Sequence, residues 1–285
     1  MPSLSFPRRS DSPNDHPRRF LSGRVIIALV IAGFSIFSYL AKSQINPVTG
    51  EKQHISISAN DEIALGLEAA PQMAAEFGGE STDAAAAARV SQIGGQVVAA
   101  SDAAKSDYQF QFHLLADDKT VNAFALPGGQ IFITEALYRR LESDGQLAGV
   151  LGHEVGHVVG RHAAEHMAKQ QLTSGLTGAA VIATSADNHS QRDAAIAMMV
   201  ANLVSLKYGR SDELEADRLG VHYMSQTSYD PHSMMRVMEI LKQATGGSRQ
   251  PEFLSTHPDP GNRIEKIQTE IDKEFPGGVA AGMKK

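Results

Sequence analysis

The chain has 285 residues, of which 42% are hydrophobic, and a formal net charge of −6. No basic stripe and no interleaving of aromatic and basic residues runs through its globular part, which excludes a nucleic-acid-binding profile. Cysteine is absent, so disulfides, thiolate metal ligands and a lipid-modified cysteine are all excluded. Without the two ends, about 230 residues remain, enough for one domain with one hydrophobic core.

An uncharged segment lies close to the N-terminus. It runs from Val25 to Ala41, between Arg24 and Lys42, and further arginines lie just upstream. A helix of this length comes close to spanning a bilayer core, so residues 23–42 are predicted to form an uncleaved membrane anchor, with a cleaved signal segment as the alternative. The upstream positive charges place residues 1–22, expected to be disordered, in the cytoplasm and the domain on the other side of the membrane.

Helices and strands are predicted to alternate after the anchor. Ala-rich segments from Asn60 to Phe77, with a kink at Pro71, and from Thr82 to Ala104 predict two helices. Three strands are then predicted, from Tyr108 to Leu114, from Asn122 to Leu126 and from Gln130 to Thr134. We therefore expect a small sheet just ahead of the next helix.

The most informative feature is His153-Glu154-Val155-Gly156-His157, which reads H-E-x-x-H. Four residues bring a helix back to nearly the same direction, so both imidazoles share one face and can bind one metal ion. Glu154, beside the metal without binding it, can accept the proton of an attacking water and is the predicted catalytic residue. A capping box at Ser143 and Gln146, followed by an apolar stripe, supports a helix here. The alternative is a chance match, in which these buried polar groups would each need another partner.

A catalytic zinc usually has a third protein ligand. His162 lies one residue short of the position that the metzincin pattern requires, and Ala163 occupies that position. His162 is therefore interpreted as a polar helix-face or helix-end residue, and His166 in the same way.

A second pair of candidates lies downstream. Glu213 and Asp217 are four residues apart on another predicted helix, where Glu213 can face the metal while Asp217 hydrogen-bonds the far nitrogen of a ligating histidine. A solvated acidic face has the same spacing, and this alternative stays open at the level of spacing. Glu215 points elsewhere on the helix and is expected to be a neutral control.

The stretches Leu151–His157 and Glu213–Asp217 resemble the H-E-x-x-H and E-x-x-A-D motifs of the gluzincin metallopeptidases that include HtpX, the CaaX prenyl proteases and the periplasmic beta-barrel assembly-enhancing protease. Further matching stretches are Asn46–Gly50, Asn122–Gly129 and Ser255–Pro258, so the resemblance covers residues 46 to 272. It implies one Zn²⁺ bound by His153, His157 and Glu213, with Asp217 behind a ligating histidine. It also places His257 near the zinc, to stabilise an oxyanion or to block the open coordination site.

Three further features complete the predicted domain. Leu172–Ala183 and Ala194–Leu206 are apolar but too short to span a membrane, and are expected to form an amphipathic or self-packed helical hairpin that acts as a lid or leans on the membrane. Asp230-Pro231 and Asp259-Pro260 each predict a helix start. In related peptidases the edge strand of the small sheet receives substrate as an added strand, and a purely structural hairpin is the alternative.

The sequence therefore predicts an α+β, mostly helical gluzincin domain at residues 46–275, with a small sheet beside the active-site helix and a flexible tail at residues 276–285. The resemblance implies an inner-membrane zinc endopeptidase that faces the periplasm and cleaves misfolded or misassembled envelope proteins. Tetratricopeptide repeats are not expected. The alternative function is a zinc-stabilised periplasmic chaperone or scaffold without proteolysis.

Overall fold

Helices form most of the domain. The computed structural model describes residues 22–184, 208–244, 252–258 and 261–285. The α-helices of these ranges are α1 (Gly23–Ala41), α2 (Ala59–Glu76), α3 (Ala84–Ala99), α4 (Glu135–Tyr138), α5 (Asp144–Val159), α6 (His162–Thr184), α7 (Arg210–Ser225), α8 (His232–Ala244), α9 (Glu252–Thr256) and α10 (Arg263–Glu274). The strands are β1 (Ser43–Ile45), β2 (Lys52–His54), β3 (Gln111–Leu115), β4 (Ala123–Ala125) and β5 (Gln130–Thr134). The predicted α+β, mostly helical fold is confirmed.

Helix α1 coincides with the predicted membrane segment. Within the described ranges it alone is long and apolar enough to span a bilayer. Its large side chains are exposed, Val30 by 65% and Phe34 by 70%, whereas a core helix would bury them. Helix α6 runs beside α1, and a Cβ added at Gly175 would come within 2.3 Å of Ser35 Oγ. The neighbour of the predicted apolar segment after Leu172 is therefore α1.

The loop between β1 and β2 fixes the end of α5. Asn46 accepts hydrogen bonds from the N–H groups of Val48 at 2.9 Å and Thr49 at 3.1 Å, and its own amide donates to the Val159 carbonyl at 2.7 Å. The carbonyls of a last helical turn have no partner within the helix. The Asn46–Gly50 stretch thus ties the N-terminal hairpin to the helix that carries H-E-x-x-H.

The sheet of three strands has the order β3-β5-β4, with β3 parallel and β4 antiparallel to β5. All five residues of β5 are buried, and β4 lies at the sheet edge. The turn before β5 presses onto α2, since Gly128 has a φ of +81° and a Cβ there would lie 2.3 Å from the Ile63 Cα. The three predicted strands are confirmed, although β3 begins at Gln111 rather than at Tyr108.

The predicted helix boundaries are correct to within a few residues, with one exception. The helix expected from Thr82 to Ala104 ends at Ala99, because Ser101 accepts from the Ala103 N–H and starts a separate 3-10 turn. Helix α2 tolerates Pro71 in its interior, and Asp230 accepts from the His232 N–H at the start of α8. The expectations for residues 1–21, Ala194–Leu206 and Asp259-Pro260 lie outside the described residues.

Helix α5 is the centre of the core. Every residue from Gly145 to Val159 is buried. Small residues bring α5 and α7 close together, since a Cβ added at Gly156 would lie 3.0 Å from the Ala216 carbonyl oxygen. This close approach places the face of α5 that carries the two motif histidines against α7.

The turn from α5 into α6 depends on an unusual backbone conformation. Arg161 has a φ of +57°, in the left-handed region that non-glycine residues rarely adopt. Its guanidinium donates from Nε to the buried Glu62 carboxylate at 2.8 Å and from Nη2 to the Ile57 carbonyl at 3.1 Å. These contacts hold a conformation that costs about 1–3 kcal/mol.

The C-terminal residues lie on the domain, which differs from the flexible tail expected at residues 276–285. The Lys284 N–H donates to the Ser228 carbonyl at 2.7 Å, and its carbonyl accepts from the Asp230 N–H at 2.8 Å. Val279 packs against the main core. Backbone pairing, the packing of Val279 and the Lys284 ammonium over the Tyr229 ring, 5.7 Å from its centroid, attach this segment.

Candidate metal centre

Four side chains converge beneath the sheet. His153 and His157 come from α5, Glu213 from the first turn of α7, and His257 from the residue after α9. One potential ligand atom from each lies within 4.8 Å of all the others. All four side chains are buried, with at most 2% of any residue exposed. The fold therefore brings the three predicted ligands together and adds His257 to them, while their role as ligands stays a prediction.

The distances within this group are short enough for one ion. The Nε2 atoms of His153 and His157 are 3.1 Å apart, and Glu213 Oε1 lies 3.5 Å from His157 Nε2. Glu213 Oε1 is also 3.1 Å from Nδ1 of His257. Three imidazoles and one carboxylate form a donor set that suits zinc. The residues thus fit the ion that the sequence predicts.

Charges within the group set its protonation. Burial lowers the pKa of His153, but Asp217 and Glu213 outweigh burial and raise this pKa to about 9. Burial raises the pKa of Glu213, but His257 and His153 hold it well below its usual range. For His157, burial and the neighbouring positive groups together lower the pKa well below the usual value. The centre favours an ionised Glu213 and a neutral His157, which are the forms that bind a metal, whereas His153 would have to release its proton to the solvent when a metal binds.

Glu154 lies beside this group and outside it. Its Oε1 atom is 3.7 Å from Nε2 of His257. Burial raises the pKa of Glu154, and the positive charges of His257 and His153 oppose this rise. Neither carboxylate oxygen of Glu154 has a hydrogen-bond partner among the residues that the structure describes. A buried carboxylate without a partner is costly to the fold, so its presence indicates a function.

Asp217 and Arg263 lie behind the metal-facing atoms. Asp217 Oδ1 is 3.0 Å from His153 Nδ1, as predicted for a residue that orients a ligating histidine. Arg263 donates to both oxygens of Asp217, at 2.8 and 2.6 Å, and its Nη1 is 3.0 Å from Glu213 Oε2. Arg263 was not among the residues predicted from the sequence. One signal was present: a basic residue in the first turn of a helix opposes the helix dipole and needs another reason to be there.

His162 lies at a helix end, as the first residue of α6, but its side chain is directed to the motif histidines and is not on a polar face. It is 1% exposed, and its Nδ1 lies 2.8 Å from Nδ1 of His157. The interpretation assumed one continuous helix, but α5 ends at Val159 and the turn at Arg161 redirects the chain. Glu215, expected to be a neutral control, points away from the metal-facing atoms but lies 3.3 Å from His162 Nε2. His166 is a partly exposed helix-face residue, and it pairs with Asp212 at 2.7 Å.

A pocket connects the edge strand with the candidate metal centre. Its lining includes Asn122, Phe124 and Ala125, together with Tyr208 and His257. The Leu126 N–H donates to the Gln130 carbonyl and the Thr134 N–H to the Asn122 carbonyl. Because pairing alternates along an antiparallel ladder, the backbone groups of Ala123 and Ala125 face away from β5. An extended chain could pair with this edge beside His257.

Comparison with known proteins gives matches over most of the chain. The sequence model described as peptidase family M48 matches residues 84–271. The beta-barrel assembly-enhancing protease of Escherichia coli (strain K12) is 28% identical over 193 residues, covering 66% of this chain and 39% of the relative. That of Yersinia pestis is 28% identical over 267 residues, covering 92% of this chain and 54% of the relative. The mitochondrial metalloendopeptidase OMA1 of Schizosaccharomyces pombe is 30% identical over 264 residues, covering 91% of this chain and 74% of the relative. The chain thus spans about half or less of the length of these bacterial relatives.

Proposed function

This chain belongs to peptidase family M48, and on that premise we propose that it is a zinc-dependent endopeptidase that cuts misfolded or misassembled envelope proteins. The observation that carries the proposal is the buried group of His153, His157, Glu213 and His257, with the unpartnered carboxylate of Glu154 beside it. A purely structural zinc site would not need this additional carboxylate.

The roles of the side chains follow from their positions. His153, His157 and Glu213 would hold the ion, which when bound polarises a scissile carbonyl and makes water more acidic. Glu154 would accept a proton from the attacking water and deliver it to the leaving amine. Burial raises the pKa of Glu154, which makes its carboxylate a stronger base for the first of these two transfers.

His257 is better placed to gate the site than to stabilise an oxyanion. Its Nδ1 atom is 3.4 Å from His153 Nε2 and 3.1 Å from Glu213 Oε1, within the ligand group itself. A catalytic zinc keeps one position open for water or substrate. As a fourth protein ligand, His257 would fill that position, and the enzyme would rest until His257 moves.

Strand β4 is the proposed substrate-binding edge. Main-chain pairing along Ala123 and Ala125 would hold an unfolded chain extended without selecting its side chains. Such a mode suits substrates that are recognised because they are unfolded. The names of the bacterial relatives refer to beta-barrel assembly, and for this chain the same class of envelope protein is the proposed substrate.

The proposed location is supported by α1 and its neighbour. The exposed apolar side chains of α1, such as Phe34 and Phe37, favour a single-pass anchor in the inner membrane, with the catalytic domain facing the periplasm. Release into the periplasm after cleavage is the alternative. Helix α6 follows α1 closely at Gly175 and carries no charge after Lys169. This part of α6 would therefore lie at the membrane surface or enter it, and would hold the metal centre close to the bilayer.

The proposal is tested with casein and an unfolded outer-membrane protein as substrates. The wild type and Glu154→Gln are compared, with the zinc content of each preparation measured. We expect both proteins to contain zinc, and the variant to be slower by about 10²- to 10⁴-fold, the usual contribution of a general base. Equal cleavage by both would rule out Glu154 as the base. No cleavage by either, with both preventing aggregation, would favour the chaperone alternative.

A further inference from the structure

The two motif histidines are supported from behind in different ways. Nδ1 of His153 faces the Asp217 carboxylate directly, at 3.0 Å. Nδ1 of His157 faces another imidazole instead, that of His162, at 2.8 Å between the two Nδ1 atoms. Nε2 of His162 in turn lies 3.3 Å from Glu215 Oε2. A carboxylate therefore lies behind His157 as well, but the imidazole of His162 stands between the two.

We infer that His162 and Glu215 are positioning residues that fix the orientation and tautomer of His157 for the metal. The inference rests on the proposed function, because it requires that His157 binds the ion through Nε2. It extends the site to a pair of residues on two different helices, α6 and α7, neither of which contacts the metal in the proposed arrangement.

The positions of the protons make this arrangement consistent. An imidazole that binds a metal through Nε2 carries its proton on Nδ1. The Nδ1–H of His157 can then donate to Nδ1 of His162 only if that nitrogen is unprotonated. His162 must therefore carry its proton on Nε2, the atom that faces Glu215. A carboxylate accepts hydrogen bonds and donates none when ionised, so Glu215 selects the required tautomer of His162.

The surroundings hold His162 in this position. It is 1% exposed, and it follows directly after Arg161, whose left-handed backbone turns the chain beneath α5. The contacts of Arg161 with Glu62 fix that turn. A side chain placed by a strained turn that the core holds has little freedom to reorient, which is what a support for a metal ligand requires.

The chain also supplies a matched control. His166 lies one turn further along α6 and pairs with Asp212 of α7 at 2.7 Å. This is a second histidine–carboxylate contact between the same two helices, but the ring of His166 meets Tyr208, at 5.8 Å between ring centroids, and it is Tyr208 that stacks on His157, at 3.9 Å. The substitution His166→Ala would remove a contact between α6 and α7 but no direct contact of His157.

The test measures metal binding by the full-length chain. Zinc affinity is determined by competition with a chromophoric chelator, and the cobalt-substituted protein is examined by visible absorption. Removing a residue that supports a ligating histidine typically weakens metal binding about 10- to 100-fold. We expect a loss in this range for His162→Ala, a loss in the same direction for Glu215→Ala, and partial recovery in Glu215→Gln, which keeps an acceptor oxygen. The cobalt spectrum should change in His162→Ala and keep its wild-type shape in His166→Ala.

A double variant separates this role from general stabilisation. If Glu215 acts through His162, zinc binding by the variant with both alanines should be no weaker than that of His162→Ala. Additive losses, or an unchanged zinc affinity in His162→Ala, would overturn the inference while leaving the proposed function intact. Failure of the wild type to bind zinc would overturn both. Should His162→Ala fail to fold, Glu215→Ala still decides the matter, because its side chain is at the rim, 19% exposed.

Discussion

Replacing Arg263 with methionine should destabilise the metal-free domain severely. The guanidinium is 1% exposed and contacts two carboxylates, those of Asp217 and Glu213, whose side chains are 2% and 0% exposed. Without Arg263 both negative charges would remain buried with one cation fewer. Removing one partner of a buried ion pair costs about 3–5 kcal/mol, a large part of the about 5–15 kcal/mol by which a domain is stable.

The measurement is chemical denaturation followed by far-UV circular dichroism, since the chain has no tryptophan. Arg236→Met is the control, because Arg236 pairs with Glu239 on the surface, with 57% of its side chain exposed, and such pairs contribute at most about 1 kcal/mol. Saturating zinc should reduce the loss in Arg263→Met, because the ion supplies positive charge beside Glu213. If Arg263→Met and Arg236→Met were equally stable without metal, the buried carboxylates would not depend on Arg263, and the electrostatic account of the centre would be wrong.

Three further predictions concern the ligand, the substrate edge and the membrane. Glu213→Gln should lose both zinc and proteolysis, whereas Glu239→Gln, an exposed change on α8, should keep both; metal analysis and a casein digest decide this. Ala125→Pro removes a backbone N–H from the free side of β4 without removing a ladder bond, so KM for an unfolded protein should rise while zinc content stays unchanged. A protease added outside spheroplasts should digest the domain after Lys42, and full protection would place the domain in the cytoplasm.

The sequence alone was sufficient to predict the candidate site residues that lie together on one helix. His153 and His157 share a face of α5 because helix geometry alone fixes residues four apart. The helix itself was predictable from its cap and apolar stripe, and Ser143 does accept from the Gln146 N–H. The other side of the capping box differs, because the Gln146 side chain accepts from the Glu142 N–H rather than from that of Ser143. Local interactions of this kind leave a pattern within a few residues.

The contributions of distant segments could not be derived from spacing. Glu213 reaches the histidines because glycine and alanine bring α5 and α7 together, as at Gly156 and Ala216, and an acidic residue on a separate helix has the same local pattern whether it faces a metal or water. The resemblance to a known family supplied what spacing lacked. For Arg263 and His162 neither source was enough, because their positions depend on how helix ends are joined and placed.

The charges of the centre connect its stability with its proposed latency. Glu213 and Asp217 need positive charge around them, and in the structure it comes from Arg263 and the histidines. A zinc ion held by His257 as well would be tightly bound, since each further ligand adds to affinity, but it would lack the open position that catalysis needs. The arrangement with four protein ligands would therefore bind the metal most tightly and catalyse hydrolysis most slowly.

Because Glu154 lies 3.7 Å from His257, a displacement of His257 would open the coordination position and free the space next to the base in one movement. A substrate chain bound along β4 would enter the pocket that His257 also lines, so binding of substrate and opening of the metal site can be coupled through that one side chain.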